Sequence, residues 1–242
     1  LAREAPDILH LATPAETHLE LVRLAAARRV PVVVCEKPLA LNAGDAREAV
    51  RECRQAGSRL LVNHERRYSR DYQLARLRVR EGRYGELLSL GTRLYMGRGR
   101  PAEQILWSDG THLLDAVRFL TGGELEVLQV CGEFSGGPGV FRAFCRAGRV
   151  PVTLEVSGGC EALVFELDLS FARGRLRIGN GLYEEWASQP SPWYEGFRSL
   201  RRQRTRRFRR TGYFAGMMAD AVAVLREAGR IPVSSGEDGL AA

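Results

Sequence analysis

One basic residue type is used only once in this chain. Of its 36 basic side chains, 35 are arginine and one is lysine, Lys37, in Cys35-Glu36-Lys37-Pro38. A compact ammonium can donate a hydrogen bond to a substrate oxygen and favour its alkoxide form, and a planar guanidinium is no substitute for it at a tight site. A chain that uses arginine at every other basic position would use it for a plain surface cation too. Lys37 therefore reads as a functional cation. The second candidate is His112, in Ser108-Asp109-Gly110-Thr111-His112-Leu113-Leu114-Asp115. Histidine is the usual general base near neutral pH, although a lone histidine is more often structural. Asp109, His112 and Asp115 are spaced three apart and can share a helix face.

The other histidines are less pointed. His18 follows Thr13-Pro14 by about one helical turn and either approaches a ligand or packs. His10 lies inside a strand and reads as structural, and His64 receives no role. The five cysteines, at 35, 53, 131, 145 and 160, form no CxxC and no metal spacing, so no metal site is expected. Their odd count and scatter fit reduced thiols in a cytoplasm.

The elements that must position these residues alternate at first. Residues 7–13 read as a strand. Thr13-Pro14-Ala15-Glu16 opens a helix with Thr as N-cap and Pro at the first helical position, and that helix runs to Arg29. Residues 30–36 are a β-branched run suited to a strand buried on both faces. Asn42 caps a second helix through Ala56, and 59–63 is a third strand. This alternation predicts a parallel sheet with crossover helices. Ligands bind beyond the carboxyl ends of such strands, where Thr13-Pro14, Glu36-Lys37-Pro38 and Asn63–Arg67 fall.

The character then changes. A helix over 69–81 precedes a strand over 86–96, and a helix over 109–120 precedes strand-like runs at 124–134, 139–146, 150–157, 161–171 and 174–179. Consecutive strands with few helices predict an α+β domain with a large mixed or antiparallel sheet. A final helix is expected over 213–228. The division is therefore 1–67, the later part of a Rossmann-type parallel sheet, and 68–242, an α+β substrate-binding and oligomerisation domain.

Composition excludes several classes. The chain has 242 residues, 45% hydrophobic and 27% charged, which suits a globular protein with a substantial core. No apolar run approaches the ~20 residues of a spanning helix, so no membrane partner is expected. The net charge of +7 is local. Eight arginines and no acid lie between Arg198 and Arg210, and without them the charge is 7 − 8 = −1. That segment reads as a solvated loop, and with no recognisable module nucleic acid is not expected as a partner.

Thr13-Pro14-Ala15-Glu16-Thr17-His18, Glu36-Lys37-Pro38-Leu39-Ala40, Arg66-Arg67-Tyr68 and Gly110-Thr111-His112-Leu113-Leu114-Asp115 together resemble the Gfo/Idh/MocA oxidoreductases, relatives of glucose–fructose oxidoreductase and inositol dehydrogenase. Residues 232–240 resemble that family's closing segment. The resemblance implies an NAD- or NADP-dependent dehydrogenase acting on a sugar, cyclitol or related polyol, as a cytoplasmic homodimer or homotetramer. It implies that Lys37 polarises the reacting hydroxyl and His112 takes its proton. Thr13, Pro14, His18, Glu36, Lys37 and Pro38 would line the cofactor, and Arg67 and Asp109 the substrate.

Two departures stand out. The position four before the histidine, often Asp in the family, is Ser108, and Asp109 is turned from it by ~100° on a regular helix. This leaves a non-catalytic NAD(P)-sensing regulator, or an NAD-dependent glycosidase or lyase, as alternatives on the same scaffold. No Gly-x-Gly-x-x-Gly is present to cradle a pyrophosphate. The 242 residues thus read as a family member truncated at both ends, expected on their own to bind dinucleotide weakly.

Overall fold

A computed structural model describes residues 4–97, 99–134, 136–205 and 213–242. The chain divides into two compact units, Leu1–Ser69 with Gly212–Ala242, and Arg70–Thr211.

The first unit is built on three parallel strands in the order β1 (Ile8–Leu11), β2 (Val32–Cys35) and β3 (Arg59–Val62). Helices α1 (His18–Ala27) and α2 (Ala43–Ala56) make the crossovers. The expected Asn42 cap is present: its side chain accepts from Asp45 N at 2.9 Å. Gly57 ends α2 at φ 75°, a left-handed conformation that costs glycine little. Thr13 does not cap α1. A short 3₁₀ turn, Ala15–Thr17, comes first, and the Thr17 hydroxyl lies 2.7 Å from Thr13 Oγ1.

Each face of this sheet has its own apolar layer. Leu9, Leu11, Val33, Cys35, Leu60 and Val62 join residues of α1 and α2, and Leu240 of α7 (Gly236–Ala241) packs with them. Ile8, Val32, Val34 and Leu61 face Met217, Ala221 and Val224 of α6 (Tyr213–Arg226). The C-terminal segment therefore belongs with the first unit. Assigning all of 68–242 to one domain follows chain order, whereas the open apolar face of the parallel sheet draws α6 back to it.

The second unit opens with α3 (Arg70–Arg80). Its eight-stranded sheet runs β11-β10-β9-β8-β4-β7-β6-β5. In chain order the strands are β4 (Leu87–Tyr95), β5 (Leu125–Gly132), β6 (Val140–Ala147), β7 (Val150–Ser157), β8 (Val164–Phe171), β9 (Gly174–Gly179), β10 (Leu182–Pro190) and β11 (Arg198–Arg202). Among the described residues of this sheet only β4 and β7 pair in parallel, so the sheet is mixed, as expected. Strands β6 and β8 alternate buried and accessible residues along their length, the signature of a sheet covered on one face. Helices α3, α4 (Ala102–Ile105) and α5 (Thr111–Thr121) supply contacts to it.

Two readings need correction here. Arg198–Arg202 is not loop but edge strand β11, antiparallel to β10, with Arg202 paired to Glu184 at 2.6 Å. The rest of the arginine run, 206–210, lies outside the described residues. The helix expected from 109 starts earlier, because α4 and a π-helical turn over Leu106–Gly110 run directly into α5.

Candidate active site

The polar ends of the parallel strands follow from register. Backbone bonds Glu36 N to Leu11 O and Asn63 N to Cys35 O extend the ladder one residue past β2 and β3. Period-two alternation then puts His10 on the face of Ile8, Glu36 on that of Val34, and Asn63 on that of Leu61. The lower rungs on this face are apolar and pack on α6. The last rung is polar.

Cys35 pairs with Val62, so Glu36 stands beside Asn63, and Asn63 Nδ2 donates to Glu36 Oε1 at 2.7 Å. His10 lies diagonally across, with Nε2 3.2 Å from the same oxygen. Asn63 Oδ1 is buried and accepts no hydrogen bond. Lys37 follows, half-buried, and its peptide bond to Pro38 is cis. Burial raises the Glu65 carboxyl above its ordinary range, with Arg66 and Lys37 acting to lower it and Glu36 to raise it. Glu65 is thus an electrostatic neighbour of both Glu36 and Lys37. Burial pushes the Cys35 thiol up to about 12, so this cysteine supplies no thiolate near neutral pH.

His18 is 1% exposed. Its ring nitrogens lie 3.0 Å from Pro38 O and 2.9 Å from Thr13 O, so the ring stands between the loop after β1 and the loop after β2. Thr13 and Pro14 are exposed on the first of those loops, and Pro38 is half-buried on the second. The Arg67 guanidinium donates to Val233 O at 2.8 Å and to Asp238 at 2.9 Å, and its side chain is 8% exposed. These bonds brace the C-terminal segment.

In the second unit His112 is the second residue of α5, half-buried, with Nδ1 in the interior. The π-helical turn immediately before it widens the helix where Ser108 and Asp109 sit, a distortion frequent at functional sites. Ser108 Oγ donates to Asp109 Oδ2 at 2.6 Å, and Arg100 donates to Ser108 Oγ at 2.9 Å. Asp109 is therefore tied to Ser108. Asp115, on the next turn of the helix, is 1% exposed.

Residues 1–64 match the model of GFO_IDH_MocA, an oxidoreductase family with an NAD-binding Rossmann fold. The chain is 34% identical over 131 residues to a D-apiose dehydrogenase of Paraburkholderia graminis, and 32% identical over 124 residues to an inositol 2-dehydrogenase of an Arthrobacter species. Each match covers 50% of this chain, and they span 35% and 36% of those relatives' own length. The fold of the Bordetella pertussis WlbA dehydrogenase, solved with NADH and UDP-GlcNAcA, superposes with a TM-score of 0.74 at 21% identity, covering 99% of this chain and 74% of that one.

The sequence left two members of the polar rung, His10 and Asn63, without a function. A signal existed. His10, Glu36 and Asn63 share parity with the apolar residues below them, but parity becomes contact only when the register is known.

Proposed function

We propose that this protein is a Gfo/Idh/MocA-type oxidoreductase, dependent on NAD or NADP, that moves hydride between nicotinamide and a hydroxyl of a sugar, cyclitol or related polyol. The observation that carries the reading is the lone lysine at the carboxyl end of β2, flanked by the Glu36–Asn63 rung. The residues fit the nicotinamide half of a dinucleotide. Asn63 Oδ1 is an unsatisfied buried acceptor at the strand end where such ligands bind, and Glu36 adds a carboxylate beside it. The dehydrogenase names of the relatives and the NADH held by the WlbA enzyme support the same choice.

Bound NAD(P) supplies the hydride acceptor. Lys37 Nζ donates a hydrogen bond to the reacting oxygen and stabilises the charge that grows there as its proton leaves. His112 takes that proton at Nε2, since Nδ1 is interior, and returns it in the reverse direction. One hydride and one proton leave the carbinol, and a carbonyl remains. Asp109, with Ser108 and Arg100, lines the approach to His112. Thr13, Pro14 and Pro38 contribute the backbone of the cofactor-facing loops.

In the same reading the protein is a cytoplasmic homodimer or homotetramer. The exposed apolar side chains Val127, Val130 and Phe144 on β5 and β6 support self-association. No helix among the described residues is long and apolar enough to cross a membrane.

Lys37→Arg tests the reading. The variant of the full-length protein is expected to fold as the parent does by circular dichroism and to lose at least about 100-fold in kcat/KM on its best polyol substrate, about 2.7 kcal/mol. Parental turnover in that variant would overturn the role given to Lys37.

A further inference from the structure

The polar rung contains an imidazole that hydride transfer does not use. His10 stands one step past Ile8 on β1, where the layer beneath is apolar, and its side chain is 33% exposed. A position of that kind accommodates many residues, and a part-exposed pair with a carboxylate adds little to stability. The geometry nonetheless gives His10 one specific partner. Its Nε2 reaches Glu36 Oε1, which Asn63 Nδ2 already holds. One oxygen of the carboxylate is thereby fixed from two strands, β1 and β3, on either side of β2. The other, Oε2, has no partner among the described residues.

We propose that His10 is a positioning residue for the dinucleotide site: with Asn63 it locks Glu36 so that Oε2 is offered as a fixed acceptor to a hydrogen-bond donor of the nicotinamide half. The inference rests on the dinucleotide reading above. A carboxylate held on one oxygen loses the freedom to rotate, so the entropy of ordering it is met before the ligand arrives. The charged groups around this carboxylate are His10, Lys37 and Glu65. Two of these can carry positive charge, and Glu65 adds a second acid. A donor of the nicotinamide half, either the carboxamide NH2 or a ribose hydroxyl, satisfies Oε2 without adding charge.

Two measurements test this in the full-length protein. The first is NADH and NADPH affinity, read by fluorescence, with steady-state kinetics beside it. His10→Leu is expected to weaken dinucleotide binding by about tenfold and to raise its KM more than it lowers kcat. His10→Gln, whose amide nitrogen stands near the place of Nε2, is expected to restore affinity to within about twofold. A 3-acetylpyridine dinucleotide, which lacks the carboxamide NH2, separates the two donors. If the carboxamide is the donor, His10→Leu no longer weakens its binding; if a ribose hydroxyl is, the loss persists. His10→Leu with parental affinity for every dinucleotide would overturn the proposal.

The second measurement needs no cofactor. Nitrogen NMR of the His10 ring is expected to show the Nε2–H tautomer, with that proton shared with Glu36. An Nδ1–H tautomer would overturn the contact itself. Parental protein that binds neither dinucleotide would refute the function above, and the tautomer would still decide the His10–Glu36 pair.

Discussion

At the scale of single residues, the loops at the carboxyl edge of the parallel sheet are tied to one another. His18 is buried, with one ring nitrogen within hydrogen-bond distance of a carbonyl on the Thr13 loop and the other of one on the Pro38 loop. Replacing it with Leu removes the ring N–H donor and leaves a main-chain oxygen unsatisfied in a buried place, which costs about 2 kcal/mol. Urea unfolding of His18→Leu is expected to show that loss, and a change under about 0.5 kcal/mol would contradict the clamp. Little of this role was legible. The sequence showed a histidine one turn past Thr13-Pro14, but its partner Pro38 is twenty residues on. The Arg67 ion pair was hidden for the same reason: its carboxylate, Asp238, is 171 residues away. Lys37 stands out in the sequence because its signal is compositional and needs no coordinates.

At the scale of elements, the second unit depends on a buried acid that joins α3 to the sheet. Glu185 on β10 accepts from Arg78 Nε at 3.1 Å and from the hydroxyls of Tyr84 and Tyr183, each at 2.5 Å. Burial pushes its carboxyl up, but the bonds from Tyr183, Tyr84 and Arg78 together hold it below the ordinary carboxylate range. A depressed carboxylate stabilises the fold above its unfolded pKa of about 4.3 and loses that contribution as pH falls through the folded value. The urea midpoint is therefore expected to drop between about pH 6 and about pH 3.5, and Glu185→Gln to flatten that drop while lowering the midpoint at pH 6. An unchanged pH profile in the variant would remove this account of the cluster.

Elements were legible where burial sets the pattern. Strands β2 and β6–β9 and helix α2 carry β-branched runs, alternation or a cap in their own residues. Strands β10 and β11 do not. They are rich in Glu, Gln, Ser and Arg, and their order comes from backbone pairing at the edge of an existing sheet. Helix α7 is six residues long and contains Gly236 and Gly239, so no helical period could reveal it. Its capping box, Ser235 with Asp238, was readable in the sequence but short of a helix to begin.

At the scale of the whole molecule, the +7 charge and the single lysine have different origins. The excess sits in 198–210, part of which is the edge strand β11, while Lys37 stands at the carboxyl end of β2 in the other sheet. The division of the chain was half legible. The change from alternating to consecutive strands marks the boundary near Ser69, yet the return of α6 and α7 to the first sheet depends on which face stays uncovered.

The central claim is hydride transfer to or from nicotinamide, and one measurement addresses it directly. The full-length protein would be incubated with NADH or NADPH deuterated on the transferring face, together with the keto forms of a panel of sugars and cyclitols. Mass spectrometry and NMR would locate the label. One deuterium is expected at a single carbinol carbon of the accepted substrate, on one face, with transfer lost in His112→Ala. Turnover with no deuterium in the product, or with label washed into solvent, would contradict it.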